Sequence, residues 1–394
     1  MVPLTVYSPN NCVDHGSSAH QESPARILAI RSALGESEFS ALTWGTSQRA
    51  TISDVLRVHD WSYVQHLARQ CAHLRSGSSG SSGSSSTAQL DEDTTISAGS
   101  LSAAMSAAGA ACAAVDAVMR GETQRALCIV RPPGHHVGRC GAVASPNVDF
   151  CSNGFGLLNT VAIAAAHARA HYGRSGDLQR VAIVDFDIHH GNGTEDIVRN
   201  LKPRVVRMPL PSSWAPRSET VYKPWLNGRD HANVFFGSVH LHDGTQFYPC
   251  SGGSTLHSPD MESNIVNVAI PLEGPLKGPL KGPLKRKRTK RTKIEATIYR
   301  QRVLAELLPR LEAFRPELLL ISAGFDGHCA DSYYCLQDAD YAWITAELVA
   351  LAQRCGHGRI VSVLEGGYCT KKSGGLRTAL AAHARELART PPEI

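Results

Sequence analysis

Val181-Ala182-Ile183-Val184-Asp185-Phe186-Asp187-Ile188-His189-His190-Gly191-Asn192-Gly193 decides the fold. Its opening residues are apolar on both faces, as a strand must be when a parallel sheet is covered on both sides. The chain then turns polar and ends in glycines, which reads as a strand running out into a loop. Outward from this stretch, similar apolar runs stand at 126–130, 233–239, 265–270, 317–322 and 360–364, beside 181–186 itself. Between and around them lie Ala- and Leu-rich helical patterns at 97–119, 157–171, 294–312, 341–354 and 376–387. The alternation predicts an α/β fold: a single domain with a doubly wound, mostly parallel sheet and helices on both faces. Such sheets place their sites beyond the carboxyl ends of the strands.

Four of the runs end in polar clusters. Val130 passes into Arg131-Pro132-Pro133-Gly134-His135-His136, and Val184 into Asp185 through Gly193. Ile321 passes into Ser322-Ala323-Gly324-Phe325-Asp326, and Leu364 into Glu365-Gly366-Gly367-Tyr368. Four such clusters at one edge of one sheet are hard to explain as packing. Asp187 and His189 are two residues apart, so at a frayed strand end both side chains point the same way and can meet one ion. Asp326 is a third ligand candidate. Two carboxylates and one imidazole leave a coordination position open, as catalytic metal sites do. The bland alternative makes Asp187 a helix cap and His189 a core histidine. His135 and His136 follow a rigid Pro-Pro-Gly turn. Adjacent histidines can serve as base and acid when each is oriented by a partner, and Asp185 and Asn192 are the natural partners. A charged partner raises imidazole basicity and an amide does not, so the two should differ in pKa. The alternatives are a second metal site or a plain pair of loop histidines. Tyr368 follows two glycines that let the backbone bring its phenol close to a ligand, where it can hydrogen-bond to a developing oxyanion.

RPPGHH, VDFDIHHGNGTEDI, ISAGFDGH and LEGGY together resemble the zinc-dependent histone deacetylases of the arginase–deacetylase fold. LEGGY and HHGNG are more similar to the class II branch and its acetylpolyamine-hydrolase relatives. Weaker matches lie at 20–26, 59–63, 91–100 and 238–240, so the likeness spans nearly the whole chain. It implies hydrolysis of Nε-acetyl-lysine in histones or other proteins, with one catalytic Zn2+ on Asp187, His189 and Asp326. It implies His135 and His136 as the proton-transfer pair, with Asp185 and Asn192 behind them, and Tyr368 as the carbonyl-polarising phenol. Asp93 matches a rim aspartate that holds the substrate backbone. Phe155, after Gly154, and Tyr248 match the paired aromatics of an acyl-lysine tunnel, and Tyr333 falls at its rim. The family also places a structural K+ near Asp185, with Asp187, His189, Ser238 and Val239 contributing oxygens. Corepressor-type protein partners are a further implication. The chain departs from the pattern at Gly156, where a cysteine is usual, and the smaller residue is expected to widen the pocket foot. Tyr248 stands where Phe is more usual. The stretch from Arg131 to Asn153 is longer than expected and carries Cys140 and Cys151, read as two reduced surface thiols.

The bulk composition fits this reading. Lys and Arg exceed Asp and Glu, giving a net charge of +5, but nine of the bases lie in 277–293. Without that segment 31 bases face 35 acids, so sequence-specific nucleic-acid binding by a uniformly basic surface is not expected. The tract 274–293 (GPLKGPLKGPLKRKRTKRTK) and the tract 76–87 (SGSSGSSGSSST) read as low-complexity surface loops of one catalytic domain, 1–394. The eleven cysteines lack CxxC spacing, which points to reduced thiols in a nuclear or cytoplasmic setting. KRKR at 285–288 tilts that towards the nucleus. The first eight residues lack the features of a signal peptide, and no apolar run is read as long enough to span a membrane. Three rivals remain. A binuclear manganese ureohydrolase would need aspartates where Gly191 and Gly324 stand. An acetylpolyamine deacetylase would share every catalytic residue. An inactive module would read acyl-lysine without cleaving it.

Overall fold

The computed structural model describes residues 3–77, 87–145, 151–207, 218–243, 247–255, 264–271, 296–331 and 336–390. Most of the 76–87 tract, all of 274–293, and Tyr333 lie outside them.

Eight strands form the central sheet: β1 (Leu4–Tyr7), β2 (Thr43–Gly45), β3 (Arg125–Cys128), β4 (Val181–Asp185), β5 (Val234–His242), β6 (Ile265–Pro271), β7 (Leu318–Ala323) and β8 (Ile360–Leu364). Their order is β6-β5-β4-β7-β8-β3-β1-β2. Every neighbouring pair is parallel. All six strands expected from the sequence form. The helices that cover the sheet include α1 (Ala25–Leu34), α2 (Ile52–Leu56), α3 (Trp61–Gly77), α4 (Ser100–Met119), α5 (Thr160–Ser175), α6 (Asn192–Arg199), α7 (Asp338–Arg354) and α8 (Leu376–Ala388).

Strand alternation sends successive side chains to opposite faces. Val181, Ile183, Leu318 and Leu320 join one apolar cluster, which also holds the alanines of α4 and α5. Ala182, Val184, Leu319 and Ile321 join the other, with residues of α1, α7 and α8. The result is three layers, with both faces of the strands dry. The continuous apolar runs of the sequence have this cause. One expectation needs correcting: α4 is long and apolar enough to cross a membrane, with hydropathy 1.5. Its window is 72% buried inside the molecule, as suits a core helix. Its many small alanines let it lie close against the sheet.

Strand register decides where the site forms. Asp185 on β4 is level with Ser322 on β7, Ser322 with Val363 on β8, and Val363 with Cys128 on β3. Those four strands are adjacent at the centre of the sheet. The chain leaves β4 towards β5 and β6 on one side and returns through β7 on the other. The β4–β7 boundary is therefore a topological switch point, where a crevice opens at the carboxyl ends.

Candidate active site

The loop after β4 is shaped by its own carboxylates. The Asp187 backbone N–H donates to Asp185 Oδ1 at 3.0 Å, and the His189 N–H to Asp187 Oδ1 at 2.9 Å. Asp187 Oδ2 accepts from the Gly366 N–H at 2.9 Å, which ties the β4 loop to the loop after β8. Asp326, arriving from β7, accepts from the Ile188 N–H at 3.3 Å through Oδ1. Its Oδ2 is buried without a well-directed hydrogen bond. His189 Nδ1 lies 3.0 Å from both Asp187 Oδ1 and Asp326 Oδ2. Burial alone would lower the His189 pKa, but the Asp326 and Asp187 carboxylates raise it to about 10. Burial, with Asp187 close by, pushes Asp326 up. Asp187, His189 and Asp326 thus bring three donor atoms within 4.8 Å of one another. Two crowded carboxylates, one oxygen of them orphaned, and one imidazole fit a divalent cation of the zinc type.

The β3 loop supplies the histidines. His135 Nδ1 sits 2.8 Å from Asp185 Oδ2, and His136 Nδ1 sits 2.8 Å from Asn192 Oδ1. The pairing expected from the sequence is therefore present. Burial lowers both rings, but Asp185 and Asp187 overturn it for His135 and hold that ring well above the usual histidine range. For His136, burial and the charges of His135 and His189 act together, and the ring stays well below it. The amide oxygen of Asn192 accepts from Nδ1–H, so Nε2 of His136 carries the lone pair.

Tyr368 follows β8. Its backbone N–H and that of Cys369 donate to Asp331 Oδ2 at 2.5 and 2.8 Å. The Arg26 guanidinium lies 5.1 Å from the centre of its ring and donates to the carbonyls of Gly367 and Glu365. Burial dominates and keeps the phenol protonated, well above its ordinary pKa. Phe155 meets Tyr368 edge-on, centroids 5.7 Å apart. Tyr248 packs edge-on against His136 at 4.8 Å, and its hydroxyl donates to the Ser152 carbonyl at 3.1 Å. The two expected tunnel aromatics therefore come from segments that meet at 152–154, where Gly154 has φ 54° and no room for a side chain beside His136. Asp93 accepts from the Ser152 and Thr94 hydroxyls, and burial raises it to about 6. Ser238 is level with Asp185 on the neighbouring strand, and its hydroxyl is 2.9 Å from His240 Nδ1. Val239 is buried in the core.

Some features were not legible beforehand. Glu365 accepts from the Gly134 and His135 N–H groups at 2.7 and 3.2 Å and from the Ser322 hydroxyl at 3.1 Å, so one buried carboxyl joins three of the four loops. Burial raises it to about 7. Glu22 takes both arms of Arg131, at 2.6 and 2.7 Å, and the Arg26 guanidinium at 2.9 Å. The one signal for these was their place inside matched motifs. Gly156 does not widen the pocket foot. A β-carbon there would stand 2.6 Å from Val137 Cγ2 and 2.8 Å from the Pro133 carbonyl, so the space is already filled. Gly191 and Gly324 are likewise closed: a β-carbon would fall 2.2 Å from Asp185 Oδ2 and 1.9 Å from Asp187 Oδ2. The aspartates of a binuclear site have no room there. Cys140 and Cys151 are exposed free thiols, as expected.

Residues 20–385 match the histone deacetylase domain. Type-2 histone deacetylase 2 of Dictyostelium discoideum is 32% identical over 95% of this chain, which spans 20% of that protein's length. Polyamine deacetylase HDAC10 of Mus musculus is 34% identical over 66% of this chain and 30% of its own. The crystal structure of the HDA15 HD domain superposes with a TM-score of 0.70 at 23% identity, covering 98% of this chain and 88% of that one. That likeness concerns the fold. The family match, resting on a site built from those same motifs, means that this chain belongs to the histone deacetylase family.

Proposed function

We propose that this chain hydrolyses Nε-acetyl-lysine amides in histones or other proteins, releasing acetate, with zinc held by Asp187, His189 and Asp326. The observation that carries the reading is the meeting of three chemistries at one strand edge: the metal-type donor set, two histidines backed by a carboxylate and an amide, and a buried phenol. When bound, zinc lowers the pKa of a coordinated water towards roughly 7 and polarises the amide carbonyl. His136 Nε2, uncharged and bare, takes the proton of the attacking water. His135, held cationic by Asp185, stabilises the charge that develops and supplies the proton that the leaving lysine nitrogen needs. Tyr368 donates to the oxyanion of the tetrahedral intermediate. Phe155 and Tyr248 wall a passage that suits a neutral acyl-lysine, whereas a charged lysine would lose hydration there. Asp93 holds the substrate backbone, and Gly154 lets that wall approach His136. Tyr333 belongs to the rim by family likeness.

The same reading includes a structural K+ at Asp185, Asp187, His189, Ser238 and Val239. The alignment of Ser238 with Asp185 across β5 and β4 supports it. Residues 1–394 act as one catalytic domain, the KRKR tract supports a nuclear location, and the family likeness supports corepressor-type partners.

The test is turnover by the purified chain on acetyl-lysine peptides beside acetylpolyamines, with Tyr368→Phe in parallel. The wild type should release acetate from the peptide. Tyr368→Phe should keep its metal and lose roughly a hundredfold or more in kcat, as loss of one oxyanion donor does. KM should change much less, because that bond strengthens in the transition state. A preference for acetylpolyamine would move the substrate assignment to the polyamine class. Wild-type turnover by Tyr368→Phe would remove the phenol from the mechanism.

A further inference from the structure

The second cluster of ligand-type side chains lies away from the strand ends, where α2, α4 and α5 meet. His167 and His171 are four residues apart on α5, so they project from the same face of the helix. Their rings lie 4.3 Å apart between centroids. Asp54 faces them from α2. His167 Nδ1 is 3.2 Å from Asp54 Oδ1, and His171 Nε2 is 3.8 Å from the same oxygen. The other Asp54 oxygen is taken by the Thr51 hydroxyl at 2.5 Å, which fixes the carboxylate with Oδ1 turned towards the histidines. One donor atom from each of the three residues falls within 4.8 Å of the others.

From this geometry we propose a second metal site, distinct from the catalytic centre, in which Asp54, His167 and His171 bind a divalent transition ion of the zinc class. Two imidazoles and a carboxylate suit zinc, nickel, cobalt or copper(II). Ligands about 2.0–2.1 Å from a tetrahedral ion stand about 3.4 Å apart. The Asp54–His167 edge already matches, and the longer edge belongs to His171, whose side chain is 52% exposed and free to turn inwards.

The surroundings of His167 support the assignment. Its Nε2 is 2.9 Å from Asp116 Oδ1 on α4, and that oxygen also accepts from the Tyr172 hydroxyl at 2.9 Å. A ligating histidine backed by a carboxylate through its second nitrogen is the usual outer support of a metal centre. Here it holds the ring with Nδ1 towards Asp54 Oδ1, 3.2 Å away, the same oxygen that His171 approaches. Arg57 Nε, 4.0 Å from Asp54 Oδ1, is the nearest opposing cation. Its side chain is 32% exposed and its guanidinium reaches the Trp225 carbonyl at 3.5 Å, so the ion would have to sit on the far side of Asp54 Oδ1 from it. The exposed side of His171 leaves coordination positions to solvent, so the ion exchanges readily and closes α2, α4 and α5 together. At the near end of α5, Asn159 donates to the Val137 carbonyl at 3.0 Å, next to His136.

The experiment uses Asp326→Ala, which empties the catalytic centre, so that its readout is independent of the deacetylase reading. Equilibrium dialysis of this variant against micromolar zinc, followed by metal analysis, should leave one equivalent per chain, and zinc should raise Tm. Adding His171→Ala or Asp54→Asn should abolish both the retained equivalent and the shift. Cobalt(II) in the same variant should give the visible bands of a low-coordinate nitrogen–oxygen site, lost with His171→Ala. His171→Ala alone should fold and turn over acetyl-lysine as the wild type does, because His171 touches nothing in the catalytic constellation. Zinc content and Tm shift that are the same with and without His171→Ala and Asp54→Asn would overturn the site. So would an Asp326→Ala protein that retains no zinc.

Discussion

His135 and His136 are neighbours in sequence, yet their surroundings move their pKa values in opposite directions. The Asp185 and Asp187 carboxylates raise His135, the first 2.8 Å from its Nδ1, whereas burial and the charges of His135 and His189 lower His136, whose Nδ1 faces only the Asn192 amide oxygen at 2.8 Å. Burial and the charges of His135 and His189 hold His136 well below the usual histidine range, and the Asn192 amide brings no negative charge to reverse this, which suits the proposed role of base. Asn192→Asp should undo this. A carboxylate favours the imidazolium, so the pKa of His136 rises, and the acid limb of the kcat/KM profile, which requires the neutral ring, moves to higher pH by about one unit or more. Below that limb, Asn192→Asp should be slower than wild type at every pH. A profile whose acid limb stays in place would assign the base elsewhere. At this scale the sequence was most informative, because each proposed catalytic side chain sits within eight residues of a strand end. What stayed hidden were partnerships across long stretches of chain. Arg131 and Glu22 are 109 residues apart, and nothing in a charge type names its distant partner.

At the scale of elements, the six runs of the sequence became strands because each is buried on both faces. β1 and β2 give a weaker pattern because they are short and, for β2, exposed. They are four and three residues long, and Trp44 in the edge strand β2 is 47% exposed. The helices showed themselves through composition, with boundaries shifted where loops took over the first turn: the pattern at 97–119 begins as a helix at Ser100. Loops carried the largest surprise, since at Gly156, expected to open the pocket, Val137 and the Pro133 carbonyl already fill the place of a β-carbon. The close approach of the β7 loop to the β4 loop leaves no room for an aspartate at 324, which a binuclear site would need. Gly324→Ala would place a methyl 1.9 Å from Asp187 Oδ2, nearer than real β-carbons come to any atom. Asp187 must then move. Catalytic zinc affinity and activity should fall by at least the roughly 10–100-fold typical of losing an outer support of a metal ligand. Gly121→Ala, with nothing within 4 Å of its β-carbon, should strain only the local turn, where φ is +76°, and leave the metal in place. Metal analysis of the two variants side by side decides this, and equal zinc in both would contradict the packing argument.

At the scale of the whole molecule, the parallel sheet brings four distant segments to one edge. Asp187 and Asp326 are 139 positions apart in the sequence, yet His189 Nδ1 sits 3.0 Å from an oxygen of each. Topology, not local propensity, makes the site, and the reason it was legible is that a doubly wound sheet has one carboxyl edge at which polar ends must gather. The charge of the chain divides in the same way, a mildly acidic body beside a basic tract at 277–293 that lies outside the described residues. The central claim is that acetyl-lysine hydrolysis depends on the ion held by Asp187, His189 and Asp326. The most direct measurement follows acetate release from an acetyl-lysine peptide by wild-type and Asp326→Ala protein, before and after chelation and after zinc is returned. Wild-type activity should vanish on chelation and return with zinc, and Asp326→Ala should stay inactive throughout. Acetate release that survives chelation, or an active Asp326→Ala, would contradict the account.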